Sequence, residues 1–144
     1  MTKLEVLYLS QVGHTREMAN AIVAGARKKG VDVVIKPVHM VLSLKEIEDA
    51  DAIAIGAPTH NTGVPGQVSS LLSKMKSLNL GGKPAAAFGS YGFSGEAPEL
   101  IAERMRSMDM DVLGVIKTLK KADETTLGEC RRLGKEMALR ITSR

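Results

Sequence analysis

The chain has 144 residues, 44% hydrophobic and 25% charged. That balance excludes a disordered, collagen-like or low-complexity polymer and suits one domain, residues 1–144, with one real core. The net charge of +4 is unevenly spread: residues 1–116 hold 12 basic and 12 acidic side chains, residues 117–144 hold 8 and 4. The surplus reads as a solvated helix face or as a surface for an acidic protein partner; no nucleic acid is expected. A lone cysteine, Cys130, excludes an internal disulfide framework and suits a reducing cytoplasm. No apolar run approaches the roughly 18 residues of a membrane span. The start, MTKLEVLYLS, has no small-residue cleavage site and reads as a strand. The expected location is therefore the cytoplasm, with no membrane insertion.

Residues 3–9 form an apolar strand. Residues 15–29 follow with Met18, Ala21, Ile22 and Ala26 near helical spacing, and Gly30 ends that helix after a basic last turn. The β-branched run 31–38 reads as an edge strand, because Pro37 cannot donate to a central ladder. Residues 44–50 are a short amphipathic connector. Residues 51–57, DAIAIGA, form a strand buried on both faces. A helix over 66–78 carries Val68, Leu71, Leu72 and Met75 inward. Strand 84–88 comes next, then a helix over 96–108 with Pro98 in its first turn. Strand 111–118 leads to a helix over 123–140 whose stripe is Leu127, Cys130, Gly134, Met137 and Ile141. Strand then helix, five times over, predicts an α/β fold: a parallel sheet covered on both faces. Ligands of such sheets bind outside the carboxyl ends of the strands, so the loops leaving those ends are the ones to read.

Three of them are unusual. The first, Ser10-Gln11-Val12-Gly13-His14-Thr15, opens a helix, where unpaired amides and the helix dipole favour an anion. Ser10 and Thr15 add hydroxyls, and Gly13 allows close approach. The same residues also make an ordinary turn capped by Thr15 or His14. The second loop holds Pro58, Thr59, His60, Asn61, Thr62 and Gly63, a hydrogen-bonding wall in which Gly63 is expected to take a positive φ or to flip its peptide. The third, Ser90-Tyr91-Gly92-Phe93-Ser94-Gly95, places two of the four aromatic residues in one glycine-rich turn. They cover a planar ligand or line a rim, unless one of them lids the core. Tyr8 and Phe88 lie within strands and are expected in the core.

With these residues on view the chain resembles the flavodoxin-like family, and in particular the flavin domain of the flavodiiron (A-type) flavoproteins. The matching motifs are S-x-x-G-x-T at Ser10 to Thr15, Gly56-Ala57-Pro58-Thr59-His60-Asn61, and Gly89-Ser90-Tyr91-Gly92-Phe93-Ser94-Gly95. The resemblance spans nearly the whole chain, the third motif being the most specific. It implies a three-layer sandwich with five parallel strands in the order 2-1-3-4-5, and FMN at the switch point, a placement for which flavodoxin is a standard example. It further implies that residues 10–15 hold the FMN phosphate, that 59–63 meet the isoalloxazine near N5, and that 90–95 meet the pyrimidine side. A carbonyl of the Thr62-Gly63 segment would accept the N5 proton of the reduced ring. Phe93 stands where related domains commonly carry Trp, and His14 where a small polar residue is common.

The resulting expectation is a stand-alone short-chain flavodoxin that carries electrons at low potential between redox partner proteins. It has no di-iron domain of its own and so does not reduce oxygen or nitric oxide by itself. Lys117, Lys120 and Lys121 would steer an acidic partner, a ferredoxin or an oxidoreductase. The alternative on the same fold is an FMN-dependent NAD(P)H or quinone reductase. A phosphorelay receiver is excluded, because Ser10 and Gly56 stand where acidic residues are needed. A serine hydrolase is excluded because Glu96 replaces the last glycine of G-x-S-x-G and no histidine lies downstream. His39 and His60 lack metal-ligand spacing.

Overall fold

A computed structural model of the chain describes residues 2–143; Met1 and Arg144, the latter part of the basic surplus, lie outside them. Five strands pair in parallel: β1 (Lys3–Tyr8), β2 (Asp32–Pro37), β3 (Ala52–Gly56), β4 (Pro84–Tyr91) and β5 (Asp111–Leu119). Their order is β2-β1-β3-β4-β5, as the resemblance implied. The helices are α1 (His14–Arg27), α2 (Leu44–Asp49), α3 (Gly66–Met75), α4 (Ala97–Arg106) and α5 (Glu124–Thr142).

Side-chain alternation along the strands divides the core into two layers. Leu4 and Val6 of β1, Ala52 and Ala54 of β3, and Ala86 and Phe88 of β4 pack under α1 and α5. Leu7, Ile53, Ile55, Ala85 and Ala87 pack under α2, α3 and α4. β3 is buried at every residue and β4 at all but Tyr91, as expected of central strands covered on both faces. β2 lies at the edge, with Pro37 as its last residue. The chain leaves β1 for this edge and then returns past β1 to β3, so the exits of β1 and β3 diverge.

One boundary matters for the site. β4 runs on to Tyr91, three residues beyond the expected end, because Gly89, Ser90 and Tyr91 pair with Lys117, Thr118 and Leu119 of β5. Local propensity does not favour Gly-Ser in a strand; the neighbouring strand supplies the ladder.

The tightest contact between helices joins α1 to α5. A Cβ on Gly134 would stand 1.9 Å from the carbonyl oxygen of Ile22, and one on Gly25 would stand 1.9 Å from that of Arg131. Two glycines thus let the backbones touch, and Cys130 is sealed beside them, its thiol pushed up to about 12 chiefly by burial.

Glu5 is the unexpected core residue. It is fully buried in the middle of β1, and neither carboxylate oxygen has a hydrogen-bond partner. Lys3 Nζ is 3.7 Å away, too far for a hydrogen bond, and Glu46 is taken up by Lys36 at 2.5 Å. Burial first, then the neighbouring carboxylate of Glu46, raise the Glu5 carboxyl to about 8 against the pull of Lys3 and Lys36.

Two outcomes follow from this packing. Gly134→Ala gains about 1 kcal/mol of helix propensity but forces the helices apart. It should therefore destabilise the fold by about 1–3 kcal/mol, seen as a lower urea midpoint. For Glu5, a folded pKa above the unfolded value means that the carboxyl's contribution is complete below the unfolded pKa and is lost as pH rises toward about 8. Glu46, held below its usual range, acts in the opposite sense and reduces the net effect. The urea midpoint should fall between pH 5 and pH 8, and Glu5→Gln should flatten that fall; equal slopes in the two proteins would disprove the assignment.

Candidate functional site

The exits of β1, β3, β4 and β5 converge on one cleft of about 250 Å³. The first loop contributes Ser10, Gln11, Val12, His14 and Thr15. The second contributes Pro58, Thr59 and His60, the third Ser90, Tyr91 and Gly92, and the exit of β5 contributes Lys120. The other residues singled out in the sequence stand elsewhere. Gly13, Asn61, Thr62, Gly63 and Phe93 do not line this cleft, and Ser94 and Gly95 border a separate hollow beside Lys117. A larger hollow, of about 540 Å³, lies between residues 38–44 and α3. It is lined by the segment that leaves the edge strand β2, away from the β1/β3 divergence where ligands of such sheets bind, so its size does not make it the better candidate.

The first loop folds over its own serine. Ser10 Oγ accepts from the amides of Gly13 at 3.1 Å and Arg16 at 3.4 Å. Gly13 is the N-cap of α1, in the left-handed region at φ +92°, where a side chain would be strained. Neither Thr15 nor His14 caps the helix. The amides of His14 and Thr15 have no acceptor among the described residues. Thr15 is 2% exposed, and its hydroxyl instead accepts from the Ser90 amide at 3.2 Å, tying the first loop to the third.

The second loop is a tight hairpin. His60 and Gly63 exchange both backbone hydrogen bonds, at 2.9 and 2.8 Å. The two residues between them, Asn61 at φ +47° and Thr62 at φ +63°, are both left-handed. The expectation for Gly63 is therefore corrected: the positive φ falls on Asn61 and on the β-branched Thr62, because a two-residue turn joining antiparallel arms demands it of its central pair. The Thr62 hydroxyl donates to the Asn61 carbonyl at 2.6 Å, which helps to hold the turn. Thr59 Oγ1 accepts from the Ala97 amide at 2.9 Å, capping α4 from a different loop.

The aromatic residues of the third loop part company. Tyr91 lines the cleft with its ring against Gly95, where a Cβ would come within 2.8 Å of the ring. Phe93 is 95% exposed. As expected, Phe88 is fully buried, whereas Tyr8 is partly buried against the same layer.

Lys120 was read in the sequence as one of three steering lysines, and the fold separates it from the other two. Lys117 and Lys121 each have a carboxylate at 4.0 Å, Glu99 and Glu17 respectively. Lys120 lines the cleft in the left-handed region at φ +59°, a conformation that costs a non-glycine residue about 1–2 kcal/mol. It is held there from both sides: its amide donates to the Tyr91 carbonyl at 2.7 Å, and its carbonyl accepts from Ser90 Oγ. Its position directly after an apolar strand was the sequence signal for a cleft residue. No carboxylate lines the cleft; its basic side chains are His14, His60 and Lys120.

A doubly wound parallel sheet with its cleft at the β1/β3 divergence, a helix start presenting free amides and a tyrosine beside it, defines a flavodoxin-type site. The family model for flavodoxin matches residues 6–134, and the chain belongs to the flavodoxin family. It is similar along its whole length to a solved flavodoxin from the domain Archaea: 40% identity, TM-score 0.92, 98% of this chain and 99% of that one. The rubredoxin-oxygen oxidoreductase of Megalodesulfovibrio gigas is 34% identical over 113 residues, covering 76% of this chain and 28% of that protein. The type A flavoprotein fprA of Rhodobacter capsulatus is 32% identical over 148 aligned positions, covering 98% of this chain and 34% of that protein. The chain thus spans about a third or less of these curated relatives.

The Thr15–Ser90 bond carries a direct expectation. Thr15→Val keeps the shape of the side chain but leaves a buried amide without its acceptor. It should lower stability by about 1–3 kcal/mol in urea unfolding; an unchanged midpoint would show that the bond does not hold the loops.

Proposed function

We propose that the cleft binds FMN and that the chain, as a single flavodoxin domain, carries electrons between redox partner proteins. The observation that carries this reading is the meeting of the free amides of the α1 start with Tyr91 and the second loop in one cleft that no carboxylate lines. A phosphate needs donors and positive potential, and a flavin ring needs a flat apolar neighbour; the cleft offers both. In this reading the free amides of His14 and Thr15 and the hydroxyls of Ser10 and Thr15 hold the phosphate. Pro58, Thr59 and His60 form one wall, and Tyr91 and Gly92 the other. The Thr62 carbonyl has no donor among the described residues and is available to accept the N5 proton of a reduced ring. FMN itself would supply the redox chemistry, passing electrons singly or in pairs. The full-length likeness to a flavodoxin favours the carrier over a reductase on the same fold.

No helix among the described residues is long and apolar enough to cross a membrane. The sequence pI of about 9.3 favours an acidic redox partner, such as a ferredoxin or an acidic oxidoreductase. The pairs of Lys117 with Glu99 and of Lys121 with Glu17 are long and exposed, so a partner's carboxylates can replace them at little cost.

Purified protein should be yellow, release FMN on denaturation, and rebind it stoichiometrically as apoprotein. Its flavin should be reduced slowly by NADH or NADPH alone, and electron transfer with an acidic partner should slow as salt rises. A colourless preparation that takes up no added FMN would overturn the reading, and rapid bleaching by a nicotinamide would transfer it to the reductase class.

A further inference from the structure

We propose that Lys120 supplies the positive charge that meets the phosphate of the cofactor, and so sets the preference of the cleft for FMN over riboflavin. This rests on the FMN reading above. The first loop contributes amides, the hydroxyls of Ser10 and Thr15 and the imidazole of His14, and no lysine or arginine lines the cleft from it. The nearest anion on α1, Glu17, lies in the first turn and is shared with Lys121. A phosphate there would face a carboxylate whose charge is only partly offset by an exposed ion pair.

Lys120 is placed to correct that balance. Its carbonyl is bonded by Ser90 Oγ, and the Ser90 amide is bonded to Thr15 Oγ1. Its backbone therefore sits two hydrogen bonds from the first turn of α1, a gap that the four-carbon stem of lysine spans. Alone among the lysines of residues 117–121, it has no carboxylate partner among the described residues. Its left-handed backbone, pinned by Tyr91 and Ser90, is the kind of strain that persists where the surroundings over-determine a functional position. Lys120 is exposed, so its ammonium acts on phosphate as a point charge whose pull weakens as salt rises.

The test is a titration of apoprotein with FMN and with riboflavin, for wild type, Lys120→Gln, Lys120→Arg and Lys120→Gly. In Lys120→Gln, FMN affinity should fall at least tenfold more than riboflavin affinity, and the FMN affinity of the variant should lose salt dependence. Lys120→Arg should keep most of the FMN preference. Lys120→Gly should unfold at a higher temperature than wild type, its strain relieved, yet show the same loss of preference; this separates the charge from the fold. The midpoint potential should stay put in all variants, because the phosphate is common to both redox states. Equal losses for the two flavins, or a shifted potential with the preference intact, would overturn the assignment by placing the lysine at the ring. Wild type that binds FMN while Lys120→Gln binds it equally well would remove the role of the lysine alone. Wild type that binds neither flavin would remove the FMN reading and the lysine's role together.

Discussion

The hydrogen bond from the Ser90 amide to the Thr15 hydroxyl joins residues 75 positions apart and closes the cleft from beneath. β1 and β4 are not neighbours; β3 lies between them. Their exit loops therefore meet only because α1 turns back over the sheet edge and presents a buried threonine in its first turn. Once that bond is made, Ser90 has its hydroxyl free for the Lys120 carbonyl, and the exit of β5 joins the same assembly. Three loops become one wall through two side chains.

The rest of the fold keeps that edge rigid. Alanines along β3 and β4 let α1 and α5 lie close on one face, and isoleucines of β3 fill the other. Gly25 and Gly134 bring α1 and α5 into backbone contact, which fixes where α1 begins and so where its free amides point. Among the described residues, three of the four non-glycine residues with positive φ, Asn61, Thr62 and Lys120, lie around the cleft, and the fourth, Asp109, lies elsewhere. Such residues are held by their neighbours rather than by their own preferences.

Charge is distributed to the same end. The chain is basic overall, yet two of the lysines near the site, Lys117 and Lys121, each lie 4.0 Å from a carboxylate on α4 or α1. The cleft itself carries histidines and one lysine and no acid, which makes it receptive to an anion in a way that the net charge alone does not specify. Glu5, the acid most deeply buried, lies in the layer on the far side of the sheet from α1.

Much of this was legible in the residues alone. Runs such as LEVLY and AIAIG, helices with apolar spacing, and the alternation of the two determine a covered parallel sheet, because burial of apolar faces admits few other arrangements. The three exit loops were visible as breaks in those runs. What local sequence did not decide were matters of distance across the fold: the extension of β4 along β5, the left-handed pair in the second hairpin, the glycine contact between α1 and α5, the separation of Lys120 from its neighbours, and the burial of Glu5. Each depends on a partner far away in the chain. Periodicity reports which face of an element is apolar, whereas only the packed structure sets which distant groups come within a few ångströms, and hydrogen bonds and charges act only at that range.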